Sequence, residues 1–403
     1  MKSSKFILVT AVWGEEYVKN FMEITVPSLL AKNNLPFLSN KIDVLFYLYT
    51  KKESFEGLIN YNSFKKLLNI VTIKLFNISG FSNISKHQYA AQSIRNCIKI
   101  NNNSDCTYIV VYPDVIWSNG AVKRLYELER GGKKIVFSGE PRLNRETFIP
   151  KIKEKYLKGS IIDIRPRDLV KISLNHIHPE IKAMFWESNK RSKDPSYLLW
   201  EVETSGILLR SCILNPIMLK ISNAKFLPDF NIDSDYLGKL FGSFNKVNMY
   251  VVEDSDDFCT MDFTSSFERL DEIEEEKMDV KYVSNWILNN THDLQKDLLN
   301  FSVRIHCEDI NSHWDIIDSK ANKIIDQIKL NLKKGSKFKI GYAAPGDYKN
   351  TLFNHLLTID YITKLIKERS LSNIIYSLFK YLKFLCLNLI SRKIKIKEIK
   401  QIQ

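Results

Sequence analysis

Glycine and proline are scarce, at 14 and 11 of 403 residues, which argues against a protein built of short strands punctuated by Gly/Pro turns and excludes collagen. Cysteines at C-x-x-C spacing are missing. The six that occur (Cys97, Cys106, Cys212, Cys259, Cys307, Cys386) are scattered, which excludes a zinc ribbon or disulfide scaffold and fits a reducing compartment. The chain also lacks G-x-x-x-x-G-K-[ST], G-x-G-x-x-G after the first strand, H-E-x-x-H and G-x-S-x-G, so the nucleoside triphosphatase, dinucleotide-binding, zincin and common esterase readings lose support. The N-terminal apolar run Phe6 to Trp13 is too short for a secretion signal. A cytoplasmic protein is expected.

What is present is a globular composition, 44% hydrophobic and 26% charged, in a chain long enough for one large catalytic domain with an appendage. Its net charge of +13 is unevenly placed. Residues 329–403 hold 16 Lys/Arg against 4 Asp/Glu, leaving +1 for the 328 residues before them. A basic field at one end implies an anionic surface met by that end, and no nucleic-acid module accompanies it. From Ser370 to Leu389 apolar residues recur at helical spacing, with Lys380 and Lys383 inside the stretch and Arg392, Lys393, Lys395, Lys397 and Lys400 after it. An interfacial helix accommodates those lysines at headgroup level, and a helix packed on its own domain is the alternative.

Residues 5–140 alternate short apolar runs with helical patterns. Strands are predicted at Phe6 to Val12, Val44 to Tyr49, Val71 to Phe76, Tyr108 to Tyr112 and Lys134 to Ser138, with helices near 16–31, 55–68, 86–100 and 118–129. Such alternation, with runs apolar on both faces, predicts an α/β fold with a mostly parallel sheet, whose ligands bind beyond the carboxyl ends of the strands. Residues 141–265 are mixed. Residues 266–332 read as helical, the acidic run Asp271 to Glu276 being a solvated helix face.

The sharpest motif is Tyr108-Ile-Val-Val-Tyr112-Pro113-Asp114-Val-Ile-Trp117-Ser118-Asn119-Gly120. A buried strand delivers a carboxylate to the sheet edge, where it can hold a divalent cation that neutralises phosphates; the alternative is an Asp that caps the next helix. Here the chain resembles the A-type fold of nucleotide-sugar-dependent glycosyltransferases, whose fourth strand runs into Asp-x-Asp. Tyr112 stands where that family has its first Asp, so only Asp114 carries over. That departure allows a single-carboxylate site, a site completed from elsewhere, or a metal-independent enzyme. The resemblance extends to the first βα unit, where it implies Thr10, Ala11 and Trp13 near the donor nucleotide, and to His87 and Arg95 on the helix preceding the Asp114 strand.

A second acidic cluster, Asp254-Ser255-Asp256, ends another strand-like run, and Asp229, Asp233 and Asp235 precede it. Either a cation site or a base is compatible with such spacing, as is ordinary turn chemistry. His176-Ile-His178-Pro179 is no chelating pair, because the two rings would leave a helix on different faces. His178 is a candidate phosphate or acceptor contact, and Trp200 a candidate floor for a sugar ring, against core packing as the commoner use. Glu201 follows in the region where the family resemblance implies the acceptor-activating carboxylate.

The resemblance, which covers about the first 140 residues, implies a Rossmann-like, A-type glycosyltransferase domain over residues 1–265; the residue patterns add a helical region over 266–345 and a basic amphipathic tail over 346–403. The His178-Pro179, Phe185-Trp186 and Asp254-Ser255-Asp256 segments are also similar to bacterial proteins of surface-polysaccharide clusters, and the two resemblances together imply transfer from a nucleotide sugar to a growing capsular or lipooligosaccharide-type glycan, or a lipid-linked acceptor, at the cytoplasmic face of the bacterial cell membrane. Glu201, Asp235, Asp254 and Asp256 are the candidate catalytic bases for an inverting displacement, and Asp114 and Asp256 the candidate ligands of Mg²⁺ or Mn²⁺. The competing reading is a catalytically degenerate nucleotide- or glycan-binding scaffold of a polysaccharide assembly complex, kept open by Tyr112.

Overall fold

A computed structural model describes residues 5–335 except 79–85, 103, 223, 225–226, 229–231 and 233–234. The basic tail, including the helix expected from Ser370, lies outside the described residues. The described residues belong to one compact unit, Met1–Phe338.

This unit is built on a seven-stranded sheet. Its strands β1 (Lys5–Ala11), β2 (Val44–Thr50), β3 (Thr72–Asn77), β4 (Cys106–Val110) and β6 (Ile135–Ser138) fall within two residues of the predicted positions, with the short β5 (Val115–Trp117) and β7 (Arg142–Asn144) lying outside this sheet. Across the sheet the order is Met249–Val251, β6, Asn215–Ile221, β4, β1, β2, β3. β1 pairs in parallel with β2 and β4. Asn215–Ile221 is antiparallel to both of its neighbours, β4 and β6. The fold is therefore α/β with a largely parallel central sheet.

Both faces of the sheet are covered, which is why its central strands lack a polar side. Along β1, Ile7 and Val9 enter one core while Phe6 and Leu8 enter the other. The first helix is not continuous as expected: Glu15–Asn20 and Val26–Leu29 are separated by a π-turn over Phe21–Thr25. Pro27 has no N–H to offer the carbonyl one turn back and its ring crowds that carbonyl, so a wider turn just before it relieves the clash.

Two smaller sheets set up the site. In one, Thr260–Thr264 lies between β5 and β7, with Asp262 opposite Val115 on one side and Arg142 on the other. In the other, the hairpin Tyr197–Val202/Gly206–Ser211 is extended by Val303–His306. Gly206 is required there, because a Cβ at this position would lie 2.2 Å from the Ile305 carbonyl oxygen. The stretch 266–335 thus contributes a strand as well as the helices Val280–Asn290, Asp293–Leu298 and Ser312–Gly335.

The acidic run is corrected. Leu270–Glu272 is a 3₁₀ turn and Ile273–Glu274 a short strand paired with Arg191–Ser192. Arg191 binds Glu274 and Glu276, and Lys190 binds Glu275, so strand-edge ion pairing rather than helix solvation accounts for the charges.

Candidate functional site

β1, β4 and β6 run in one direction and bring their carboxyl ends to one edge of the central sheet. β1 runs into Trp13, whose ring packs on Tyr89 of helix Lys86–Ile100 with centroids 4.8 Å apart. β4 runs through Tyr112 and Pro113 to Asp114, whose carbonyl accepts from the Phe263 N–H at 2.9 Å. β6 ends two residues before Glu140. Three carboxyl groups, on Asp114, Glu140 and Asp262, act on one another here.

Glu140 is only 3% exposed. Its Oε1 accepts from Thr260 Oγ1 at 2.8 Å and its Oε2 from Asn215 Nδ2 at 2.6 Å. Burial outweighs these two donors and pushes its carboxyl up to about 7. Asp114 is raised well above the ordinary carboxylate range, chiefly by desolvation, then by the Asp262 charge; its own backbone N–H and Arg142 pull the other way. The Tyr17 phenol is pushed up to about 12 by burial and by Asp114, Glu268 and Asp262, against Arg145.

The balancing cations are few. Arg142 donates to Asp262 Oδ2 at 3.0 Å and to Glu180 Oε2 at 2.6 Å. Arg269 donates to Glu180 Oε1 at 2.8 Å and to Asp194 Oδ2 at 3.2 Å. Asp262, Glu180 and Asp194 thus share two guanidiniums, while Asp114 and Glu140 have no ion pair among the described residues. Burying unpaired negative charge is costly, so such a cluster retains protons or takes up a cation. Asp262 Oδ1 is buried and has no hydrogen-bond partner among the described residues.

His178 is fully buried and belongs to the frame of this site rather than its surface. Its Nδ1 accepts from the Glu180 N–H at 3.2 Å, so its Nε2–H donates to the Ser265 carbonyl at 3.0 Å, and the ring is neutral. Burial lowers its pKa in keeping with that. Its role is to position the loop that follows Thr264, and no face is left for a phosphate.

The remaining predicted residues are dispersed. Thr10 is buried at the end of β1 with no partner for its hydroxyl among the described residues, and Ala11 packs partly buried against the core. Arg95 donates to the Pro228 carbonyl at 2.9 Å, tying its helix to the segment after Ile221. His87 lies in that helix and Asp235 opens helix Asp235–Phe241, but their side chains lie outside the description. Trp200 is 1% exposed and stacks on Trp186, so it is a core residue and offers no ligand surface. Glu201 is exposed and lines a separate cavity of ≈ 590 Å³ with Lys171, Lys182, Phe185 and Glu203.

Asp254 and Asp256 form a different cluster, with His306. Asp254, Asp256 and His306 offer ligand atoms within 4.8 Å of one another. His306 Nδ1 lies 2.7 Å from the Glu308 carbonyl and Nε2 lies 2.8 Å from Asp254 Oδ1. An N–H on Nδ1 facing the carbonyl leaves Nε2 to meet the carboxylate through a proton or a cation, an arrangement able to hold a metal ion. Arg167 already grips Asp256 with two nitrogens, the closer at 2.7 Å, and lowers its pKa. Asp114 and Asp256 do not join in one site: the β5 pairing with Thr260–Asp262 runs between them.

Glu140 and Asp262 were not singled out by sequence. Glu140 follows a predicted strand by two residues, as Asp114 follows its own by two, so the strand-end rule that selected Asp114 reaches it. Asp262 had no such signal.

No protein-family model matches the chain, and no curated protein matches it. Among solved structures it is similar to a protein assigned as a glucose-1-phosphate thymidylyltransferase from Bacillus anthracis, at 15% identity over 35% of this chain and 55% of that one, with a TM-score of 0.24. It is also similar to mouse xyloside xylosyltransferase 1, at 14% identity over 39% of this chain and 60% of that one, with a TM-score of 0.23. The chain thus spans under two thirds of each of these proteins.

Proposed function

We propose that the protein is a glycosyltransferase that draws its sugar from a nucleotide-sugar donor bound at the carboxyl edge of the central sheet. The observation carrying this reading is the meeting of Asp114, Glu140 and Asp262 beyond β4 and β6, where only Asp262 is ion-paired among the described residues. A nucleoside diphosphate is itself anionic, so such a site accepts one only with positive charge added. The unpartnered, buried Asp262 Oδ1 and the raised Asp114 fit a divalent cation, which Asp114 and Asp262 would hold. When bound, Mg²⁺ or Mn²⁺ offsets the charge that builds on a diphosphate leaving group.

The protein's own groups supply the rest. The Trp13–Tyr89 pair presents aromatic surface beside the end of β1, suited to a nucleobase. Arg142, fixed by Glu180, holds Asp262 in place. Glu140, poised near neutrality, is the group that can take a proton from an acceptor hydroxyl or hold one. It replaces Glu201, Asp254 and Asp256 as the favoured base, because those three lie away from this site. The acceptor is a growing surface glycan at the cytoplasmic membrane face, a reading supported by the concentration of positive charge after residue 328. None of the described helices is long and apolar enough to cross a membrane.

A thermal-shift panel of nucleoside diphosphates and nucleotide sugars, with and without Mn²⁺, tests this reading, since a ligand that binds only the native state raises Tm. The expected result is a Mn²⁺-enhanced rise with one nucleotide that disappears in Asp262→Asn and in Asp114→Asn. No response to any nucleotide would sink the reading. Donor binding without sugar turnover would move the protein to the scaffold class.

A further inference from the structure

A shallow groove of ≈ 450 Å³ runs between helix Glu15–Asn20 and helix Arg145–Tyr156, a volume within the range of roughly 300–1,000 Å³ common to small-molecule sites. Two residues relate it to the Asp114 and Asp262 carboxyls. Arg145 lines the groove, and Tyr17, on the first helix, feels Arg145 together with Asp114 and Asp262. At the same end, Glu146 of the groove accepts the Ser266 N–H at 2.8 Å, anchoring the loop that carries Phe267 and Glu268. Phe267, next to the Ser266 that Glu146 holds, is 80% exposed.

The charge pattern selects the occupant. Four carboxylates (Glu15, Glu16, Glu23, Glu146) and three cations (Lys19, Arg145, Lys153) line the groove. Two of the cations are already committed, Arg145 to Glu16 and Glu146, and Lys153 to Glu23. A polyanion finds no excess positive charge there. A hydroxyl-rich neutral chain finds closely spaced donors and acceptors, and the exposed ring of Phe267 offers a face for the apolar side of a pyranose.

We propose that this groove and Phe267 form the acceptor subsite, and that the acceptor is an uncharged pyranose chain whose residue nearest the donor site stacks on Phe267. The assignment of the bound chain as acceptor rests on the transferase reading; the binding itself does not. Phe267 is a specificity-determining contact and takes no part in holding the donor.

The test uses the full-length protein and saturation-transfer NMR with maltohexaose, cellohexaose and chitohexaose as neutral probes and polyphosphate as the polyanion. At least one neutral hexasaccharide is expected to bind, with affinity falling at least fivefold in Phe267→Ala and retained in Phe267→Trp. Nucleotide-induced Tm shifts should be the same in all three proteins. Binding of polyphosphate alone, no binding of any hexasaccharide, or equal binding by the alanine variant would overturn the assignment. Oligosaccharide binding that depends on Phe267 in a protein insensitive to nucleotides would uphold the groove and sink the donor reading separately.

Discussion

Replacing Glu140 by Gln should change the pH dependence of stability in a direction set by the burial of this carboxyl. Its pKa is held at about 7 against an ordinary 4.5, and each unit is worth 1.36 kcal/mol, about 3 kcal/mol in all. Below pH 4.5 both folded and unfolded chains carry the proton, and the group adds no pH dependence. Between about 4.5 and 7 the unfolded chain releases it while the folded chain keeps it, so wild-type stability falls as pH rises. Above about 7 the full difference is lost. Glutamine cannot titrate and removes this slope. Its amide oxygen can still accept from Asn215, and its NH2 can donate to the Thr260 hydroxyl oxygen, so both hydrogen bonds are kept. The variant is therefore expected to match wild type at pH 4.5 and to be about 3 kcal/mol more stable at pH 8. Urea unfolding followed by tryptophan fluorescence, in EDTA to exclude divalent ions, measures both curves. Parallel curves for the two proteins would refute the burial argument.

Other consequences are simpler to read. Gly206→Ala places a Cβ 2.2 Å from the Ile305 oxygen and 2.9 Å from Trp314; a loss of roughly 3 kcal/mol or more by thermal melting is expected, because backbone must move. Glu180→Ala strips the fully buried partner from both Arg142 and Arg269, and should cost about 3–5 kcal/mol, whereas Arg165→Ala at an exposed pair should cost under about 1 kcal/mol. Arg167→Ala frees Asp256, so Co²⁺ should bind the Asp254–Asp256–His306 cluster more tightly than in wild type, seen in its visible absorption. An unchanged Co²⁺ titration would show that the guanidinium does not compete there.

The first 140 residues were legible because their physics is local: buried parallel strands appear as apolar runs, and the turns between them as polar breaks. The same runs located Asp114. Trp200 misled because an aromatic on an alternating strand looks alike whether it faces a ligand or a second tryptophan. Asp262 was hidden for a related reason. Thr260–Thr264 is only five residues long, and its pairing with β5 and β7 joins residues more than a hundred positions apart, which no local pattern encodes. The ion-paired strand edge at Glu274 was misread as a helix face because acidic runs carry no period of their own.

The strand Asn215–Ile221, seated antiparallel between β4 and β6, also governs when this sheet can exist. A nascent chain that has emerged only through Ser138 holds β1 to β4 and β6, yet it lacks the strand that joins the last two. The sheet's center must wait for about eighty further residues, a long loop whose closure slows folding. Fragments ending before Ile221 should be unfolded or aggregation-prone, with two open strand edges exposed. The carboxyl cluster is consequently not a separable N-terminal module: Asn215, which orients Glu140, arrives on the very strand that completes the sheet. Assembly of the fold and assembly of this carboxyl cluster are one event.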